Sequence, residues 1–314
     1  MGQSQRNALG LLSVATSLGL VFWLLTRINF ERTIALLQQA DWSWLSFAAL
    51  VTCLVPIASV YRWRGVLAAQ DDVHLSYMIA LRAVMMANVL NSFLPSKSGD
   101  IAKAAYLRKH GGLSKGLGTV ILERLVDLGV LGILGIIGFS ASGAPWGLIA
   151  GGILLGGVIM AFMLLLLVPV TSWLPEKTVL VVEEVRLVFS RWVRNPGAIV
   201  QTLTGSLVIW SIGGLTVYAL ARGIGAELAL SYTYAIFPLA ILAGLIPVTI
   251  SGIGTRDSAF VLLLSSQLPV EEATLIGIGY TLFAYWFLSL VSFPVVALEL
   301  NRIYRSGMLD KTTH

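Results

Sequence analysis

The sequence predicts an all-α integral membrane protein with about six full spans and two re-entrant helical hairpins broken by Pro and Gly, arranged as an inverted-topology repeat. Three observations predict it. Of the 314 residues, 57% are hydrophobic and 12% charged, with a mean hydropathy of +0.85, whereas about a quarter of an ordinary soluble domain is charged. Six apolar runs, residues 8–26, 42–61, 116–139, 146–168, 199–221 and 273–298, reach the roughly 20 residues that cross a hydrocarbon core as helix. Two more runs are interrupted by proline and glycine and end on an acid. These are Leu94-Pro95-Ser96-Lys97-Ser98-Gly99-Asp100, and Ile246-Pro247 followed by Ser251-Gly252-Ile253-Gly254-Thr255-Arg256-Asp257. Broken backbone carrying charge is tolerated in a bilayer only where protein or a watery cavity satisfies it, so breaks in corresponding halves point to a substrate path.

In chain order, the first run follows Arg6 and is followed by Arg27-Ile28-Asn29-Phe30 rather than a small-residue cleavage site, so it reads as a retained anchor. Residues 28–40 read as a surface helix. Cys53, the single cysteine, reads as packing and excludes an intrachain disulfide or a cysteine metal cluster. Gly129, Gly132, Gly135 and Gly138 recur every third residue, and Gly152 and Gly156 have GxxxG spacing; both stripes read as close helix contacts. Residues 175–194 mix Lys177, Glu183, Glu184, Arg186, Arg191 and Arg194 with Val181, Val185, Val188, Phe189 and Trp192. That pattern is an amphipathic connector suited to an anionic lipid surface.

Basic residues choose between topologies, because Lys and Arg accumulate on the cytoplasmic side of short loops. If both broken runs crossed, the cations would divide 12 against 7. If each run instead turns at its break and leaves where it entered, they divide 15 against Arg27, Arg32, Arg222 and Arg256. Lys97 and Lys103 lie within the first hairpin, which leaves 13. The hairpin arrangement places both termini in the cytoplasm of a multi-pass protein of the cytoplasmic (inner) membrane. Its repeats cover approximately 42–140 and 199–298 within a single domain, 1–314. Asp100 to Lys115 and Asp257 to Glu272 are both separated by 15 residues, so the returning arms match in length. The competing arrangement is an eight-span bundle with two unrelated proline-ended helices.

The residues able to carry chemistry gather at these breaks. Pro95, Gly99, Pro247, Gly252 and Gly254 set the breaks. Asp100 and Asp257 are each placed to cap the helix that follows, or to join Lys97 or Arg256 in holding a headgroup at a helix N-terminus. Glu123, Arg124 and Asp127 sit about two turns into an apolar helix, with the two acids one turn apart. Three such charges must pair or meet water. Arg82, Asn88 and Asn91 add polar character to the entering arm. Asn91, Lys97, Asp100, Lys103, Glu123, Arg124, Asp127, Ser251, Arg256 and Asp257 form the candidate binding set. His74, His110 and His314 are scattered without metal spacing, and Gly252-Ile253-Gly254 has Asp257 where a dinucleotide fingerprint needs glycine. No catalytic residue, metal, cofactor or nucleic-acid partner is expected.

The motifs Asn91-x3-Pro95-x3-Gly99-Asp100, Glu123-Arg124-x2-Asp127 and Pro247-x3-Ser251-Gly252-x-Gly254-x-Arg256-Asp257 resemble, in that order, the membrane domain of the lysylphosphatidylglycerol synthases. That domain also occurs alone in bacterial and archaeal flippase-like proteins. Asp257 replaces the usual Glu, an acid shortened by one carbon. In bifunctional members this domain moves aminoacylated phospholipid between leaflets while a separate C-terminal domain attaches the amino acid. Since the sequence stops at His314, the resemblance implies translocation of a polar, aminoacylated or glycosylated lipid without synthesis. A non-transporting scaffold for a glycosyltransferase or lipid-modifying enzyme encoded nearby, docked through 175–194, is the alternative.

Overall fold

The computed structural model describes residues 3–70, 73, 75–110, 112–167 and 176–312, and most of those residues are helical, with no strand among them. His74 and His314 lie outside the described residues. α1 (Gln3–Leu25) turns by 87° into α2 (Phe30–Gln38), whose first turn is capped by the Asn29 side chain accepting from Arg32 N. α3 (Trp42–Thr52) and α4 (Val55–Ala68) form one 27-residue apolar unit, stepped at Cys53 and Leu54 ahead of Pro56. A proline in the first helical turn starts a helix but cannot continue one, which explains the step inside the expected span 42–61.

α5 (Tyr77–Asn91) leads to the first break, a 3₁₀ turn at Pro95–Asp100, and then to α6 (Ile101–Tyr106). α7 (Gly112–Ser142) and α8 (Pro145–Leu167) form a long hairpin, and α9 (Glu176–Val193) precedes α10 (Pro196–Gly223). α11 (Leu230–Leu245), a 3₁₀ turn at Ile250–Gly252 and α12 (Thr255–Leu264) repeat the broken pattern. α13 (Val270–Thr281), a π-helical segment Leu282–Phe287 and α14 (Leu288–Thr312) complete the chain.

Four units are long and apolar enough to cross a membrane: Trp42–Ala68, Pro145–Leu167, Pro196–Gly223 and Val270–Arg302; the bent α1–α2 pair makes a fifth. The expected run 116–139 lies within the 31-residue α7 but is not among them. It carries Glu123, Arg124 and Asp127. α5 and α11, at 15 and 16 residues, are too short to span a core that needs about 20.

α7 is the central strut, and glycine explains its contacts in part. A Cβ on Gly132 would stand 2.9 Å from Leu155, and one on Gly138 would stand 2.3 Å from the Ala235 backbone of α11. Gly129, Gly152 and Gly156 face nothing within 4 Å, so the expected GxxxG contact is misplaced. The residues that approach α7 from α8 are Gly147, 2.2 Å from Gly135 O as built with a Cβ, and Gly151, 2.4 Å from Ile136. Every-fourth spacing marks a face without saying which way the helix is rotated, and α8 turns its 147/151 face inward. α9 also departs from expectation. Val185, Val188 and Trp192 are buried, Phe189 stacks on Phe162 with centroids 4.5 Å apart, and Trp192 Nε1 donates to Thr202 Oγ1. The side bearing Val185, Val188 and Trp192 therefore packs on protein, while Leu180, Leu187 and Val193 stay exposed.

The helix ends have a defined arrangement. Asp41 N donates to Gly223 O at 2.7 Å, while Gln201 Nε2 donates to Tyr61 O at 2.8 Å, so α3–α4 and α10 run antiparallel. The end of α4 meets the start of α7 through Trp63 Nε1 and Thr119 Oγ1 at 3.3 Å. α5 and α6 thus leave and return to one end of the bundle. At the other end, Asn29 N donates to Glu271 Oε1 at 3.2 Å and Arg32 pairs with Glu272 at 3.6 Å. α11 and α12 therefore leave the end of α10 and return to the start of α13 at that second end.

Candidate functional site: an ion-lined cavity beside the first break

The two breaks meet. Lys97 and Ser251 are the non-glycine residues with positive φ among those described, at 54° and 55°, one in each break. Gly99 presses on α5, where a Cβ would stand 2.6 Å from Asn91 N; Gly252 presses on α11, where one would stand 2.9 Å from Gly244 Cα. Gly252 also has φ +75°, which a side chain disfavours. Ser251 Oγ donates to Asn91 O at 2.8 Å. α1 braces the second tip, since Ile250 N donates to Ser17 Oγ at 3.0 Å.

Beside this junction lies a cavity of about 90 Å³ bordered by α4, α5, the first break, α7, α10 and the π-helical segment. Gly205 lets α4 approach α10, because a Cβ there would stand 2.7 Å from that of Arg62. Arg62 then reaches both acids of α7: Nε to Glu123 Oε1 at 2.8 Å and a terminal nitrogen to Asp127 Oδ1 at 2.6 Å. Ser206 Oγ donates to the same Asp127 oxygen at 2.9 Å. Gly116, whose Cβ would stand 2.6 Å from Ala104 Cα, lets α6 approach α7. Lys103 thereby reaches Glu123 Oε2 at 2.5 Å and Asp100 at 3.7 Å. Arg124 closes the ring, donating to Asp127 Oδ2 at 2.9 Å and to Asp100 Oδ2.

Three cations, Arg62, Lys103 and Arg124, thus offset three anions, Asp100, Glu123 and Asp127. Each charge stripped of water has a partner, which is the condition under which buried ions persist. Lys97 is different. It borders the cavity with its ammonium 4.5 Å from the Trp210 ring centroid and is matched to no carboxylate among the described residues.

The acids that look equivalent in sequence have different surroundings. Asp100 makes no side-chain cap and belongs to the ion ring, with Asn91 Nδ2 donating to it at 3.3 Å. Asp257 caps α12: its carboxylate accepts from Gly254 N at 2.9 Å and from Thr281 Oγ1 at 2.6 Å. Arg256, 1% exposed, does not border the cavity. It donates to Ser251 O at 3.1 Å and Thr281 Oγ1 at 2.6 Å, and lies over the Tyr285 ring at 4.3 Å. Its charge is set against Asp257 at 4.0 Å. Of the candidate set, Asn91, Lys97, Asp100, Lys103, Arg124 and Asp127 border the cavity, Glu123 supports it from behind, and Ser251, Arg256 and Asp257 form the second tip. Arg82 points elsewhere and pairs with Glu299 at 3.2 Å.

Sequence reasoning missed Arg62, Ser206, Trp210 and Tyr285. Arg62 stands at the edge of an apolar run and reads as a loop cation, yet α4 extends to Ala68 and buries it to 3% exposure. Tyr285 reaches the cavity from the π-helical segment, and such bulges occur often at functional sites. No local pattern distinguishes Trp210.

Apolar helices of spanning length around a buried ionic cavity define a multi-pass membrane protein whose polar interior is held by two broken helices. The chain belongs to the lysylphosphatidylglycerol synthase TM region family, which matches residues 10–292. It is similar to the UPF0104 membrane protein of Methanothermobacter thermautotrophicus, 22% identical across 95% of this chain and 96% of that one. A UPF0104 membrane protein of Methanocaldococcus jannaschii is 26% identical over 66% of this chain and 92% of its own. One of Pyrococcus horikoshii is 29% identical, with the match covering 35% of this chain and about a third of that protein's length.

Proposed function

We propose that this protein is a lipid translocase of flippase type, which admits a polar headgroup to the cavity beside the first break while the acyl tails stay in the bilayer. The observation that carries the reading is the meeting of two half-length broken arms beside a buried ionic cavity. Broken helices at mid-membrane depth supply such sites in transporters built for alternating access. Translocation is the activity proposed, with lipids of polar or charged headgroup as the partners.

In this reading α1, α3–α4, α7, α8, α10 and α13–α14 cross, while α5–α6 and α11–α12 are hairpins entering from opposite faces as an inverted repeat. Antiparallel α3–α4 and α10 support it, because an extra crossing by the first broken run would make those two units parallel. Burial also revises the charge count. Arg62, Lys97, Lys103 and Lys115 are buried or border the cavity, and Arg256 is buried. The loops and ends then divide 11 against 3, still favouring cytoplasmic termini in the inner membrane. The scaffold alternative draws less support, since Val185, Val188 and Trp192 of α9 already pack on this chain and leave only Leu180, Leu187 and Val193 as exposed large apolar residues on that helix.

The test is the leaflet distribution of labelled lipids in proteoliposomes of pure protein. Accelerated transbilayer movement for at least one headgroup is the expected result. Rates equal to those of protein-free vesicles for every headgroup would overturn the proposal.

A further inference from the structure

We infer that the cavity is an anion site that selects a phosphate carrying net negative charge and rejects a net cationic, aminoacylated headgroup. The inference rests on the translocase reading only for the claim that the phosphate belongs to a lipid.

Charge comes first. The ring of Arg62, Lys103 and Arg124 with Asp100, Glu123 and Asp127 is balanced, and Arg256 is set against Asp257. Lys97 is the cation left over at the cavity wall. A half-buried charge without a carboxylate partner is costly, and an incoming anion lowers that cost. An incoming ammonium group adds to it.

Hydrogen bonding points the same way. Trp210, 4% exposed, is a wall residue whose indole N–H is buried and meets no protein acceptor. The same holds for Asn88 Nδ2 and Arg124 Nε on neighbouring walls. All three are donors. The one unpartnered acceptor on a wall residue, Asn91 Oδ1, abuts the Gly99 backbone, 2.7 Å from where a Cβ would stand. Unmade buried hydrogen bonds cost free energy until a ligand makes them, and phosphate oxygens accept without donating.

The test is equilibrium binding to the full chain in detergent. Short-chain phosphatidylglycerol, its lysyl ester and inorganic phosphate serve as probes. Phosphatidylglycerol is expected to bind at least about tenfold tighter than its lysyl ester, as a charged hydrogen bond gained or lost implies. Lys97→Gln should lose about tenfold and Lys97→Arg should retain affinity. Trp210→Phe, which keeps an aromatic face beside Lys97 but removes the N–H together with the pyrrole half of the indole, should lose several-fold, and the unliganded melting temperature of each variant reports whether it is folded. Equal or tighter binding of the lysyl ester, or affinity indifferent to both Lys97→Gln and Trp210→Phe in folded protein, would overturn the inference. Inorganic phosphate that binds more tightly than the lipid would overturn its lipid part. Binding is read without transport, so a selective protein that moves no lipid contradicts the translocase reading alone. Equal transport of both lipids contradicts this inference alone.

Discussion

The Ser251 hydroxyl donates a 2.8 Å hydrogen bond to the Asn91 carbonyl, fastening the tip of the second break to the last residue of α5 across 160 positions of sequence. Asn91 also donates its side-chain amide to Asp100. One residue therefore links the second tip to the ion ring beside the first.

Ser251→Ala should lower stability by about 1 kcal/mol, the usual net value of a buried hydrogen bond. Thermal unfolding in detergent checks this. In the translocase reading the second tip and α5 part for a headgroup to pass, so transbilayer movement should rise or stay level while stability falls. A fall in both would place Ser251 in headgroup binding.

Arg62→Met should be among the most damaging single changes. It leaves Glu123 and Asp127 sharing only Lys103, Arg124 and Ser206, and stranding buried charge costs about 3–5 kcal/mol. Adding Asp127→Asn restores the balance of charge and should recover part of the loss. A double-mutant cycle on melting temperature would show that recovery as strong coupling. Additive losses would mean that Arg62 acts through packing alone.

Gly147→Ala and Gly138→Ala should each destabilise by about 1–3 kcal/mol, because their new methyl groups meet backbone that cannot yield at 2.2 and 2.3 Å. Gly152→Ala and Gly156→Ala face open space and should change stability by less than about 0.5 kcal/mol. The same thermal assay compares all four.

Side-specific labelling tests the topology. With Cys53→Ser as background, cysteines replacing exposed Arg27 and Arg222 should react from one face with an impermeant maleimide. Those replacing exposed Arg64 and Arg302 should react from the other. Labelling of the Arg27 and Arg222 positions from opposite faces would break the hairpin arrangement.

Much of this was legible in the sequence because the bilayer simplifies the chemistry. Long apolar runs, two proline-and-glycine breaks and three charges in one helix each had few physical explanations; the breaks and the charges appear where the pattern placed them, while the run 42–61 is stepped and 116–139 is not among the candidate spans. Rotation about helix axes was not legible, which is why the packing face of α8 was assigned to Gly152 and Gly156. Tertiary pairing was not legible either. Asp100 and Asp257 have the same local signature, and only their neighbours, Arg124 for one and the Gly254 amide for the other, separate an ion-ring acid from a helix cap. Arg62 was hidden by a helix end set too early, and Trp210 by the lack of any local cue.

The central claim is that a lipid headgroup occupies the cavity beside the first break, and the most direct measurement is where a photoreactive headgroup labels the protein. Illumination of the full chain in vesicles, followed by peptide mapping, is predicted to label the segments bearing Lys97, Trp210 and Tyr285, with competition by unlabelled lipid. Labelling confined to the lipid-facing surfaces of α8 and α14, with none at those three segments, would contradict it.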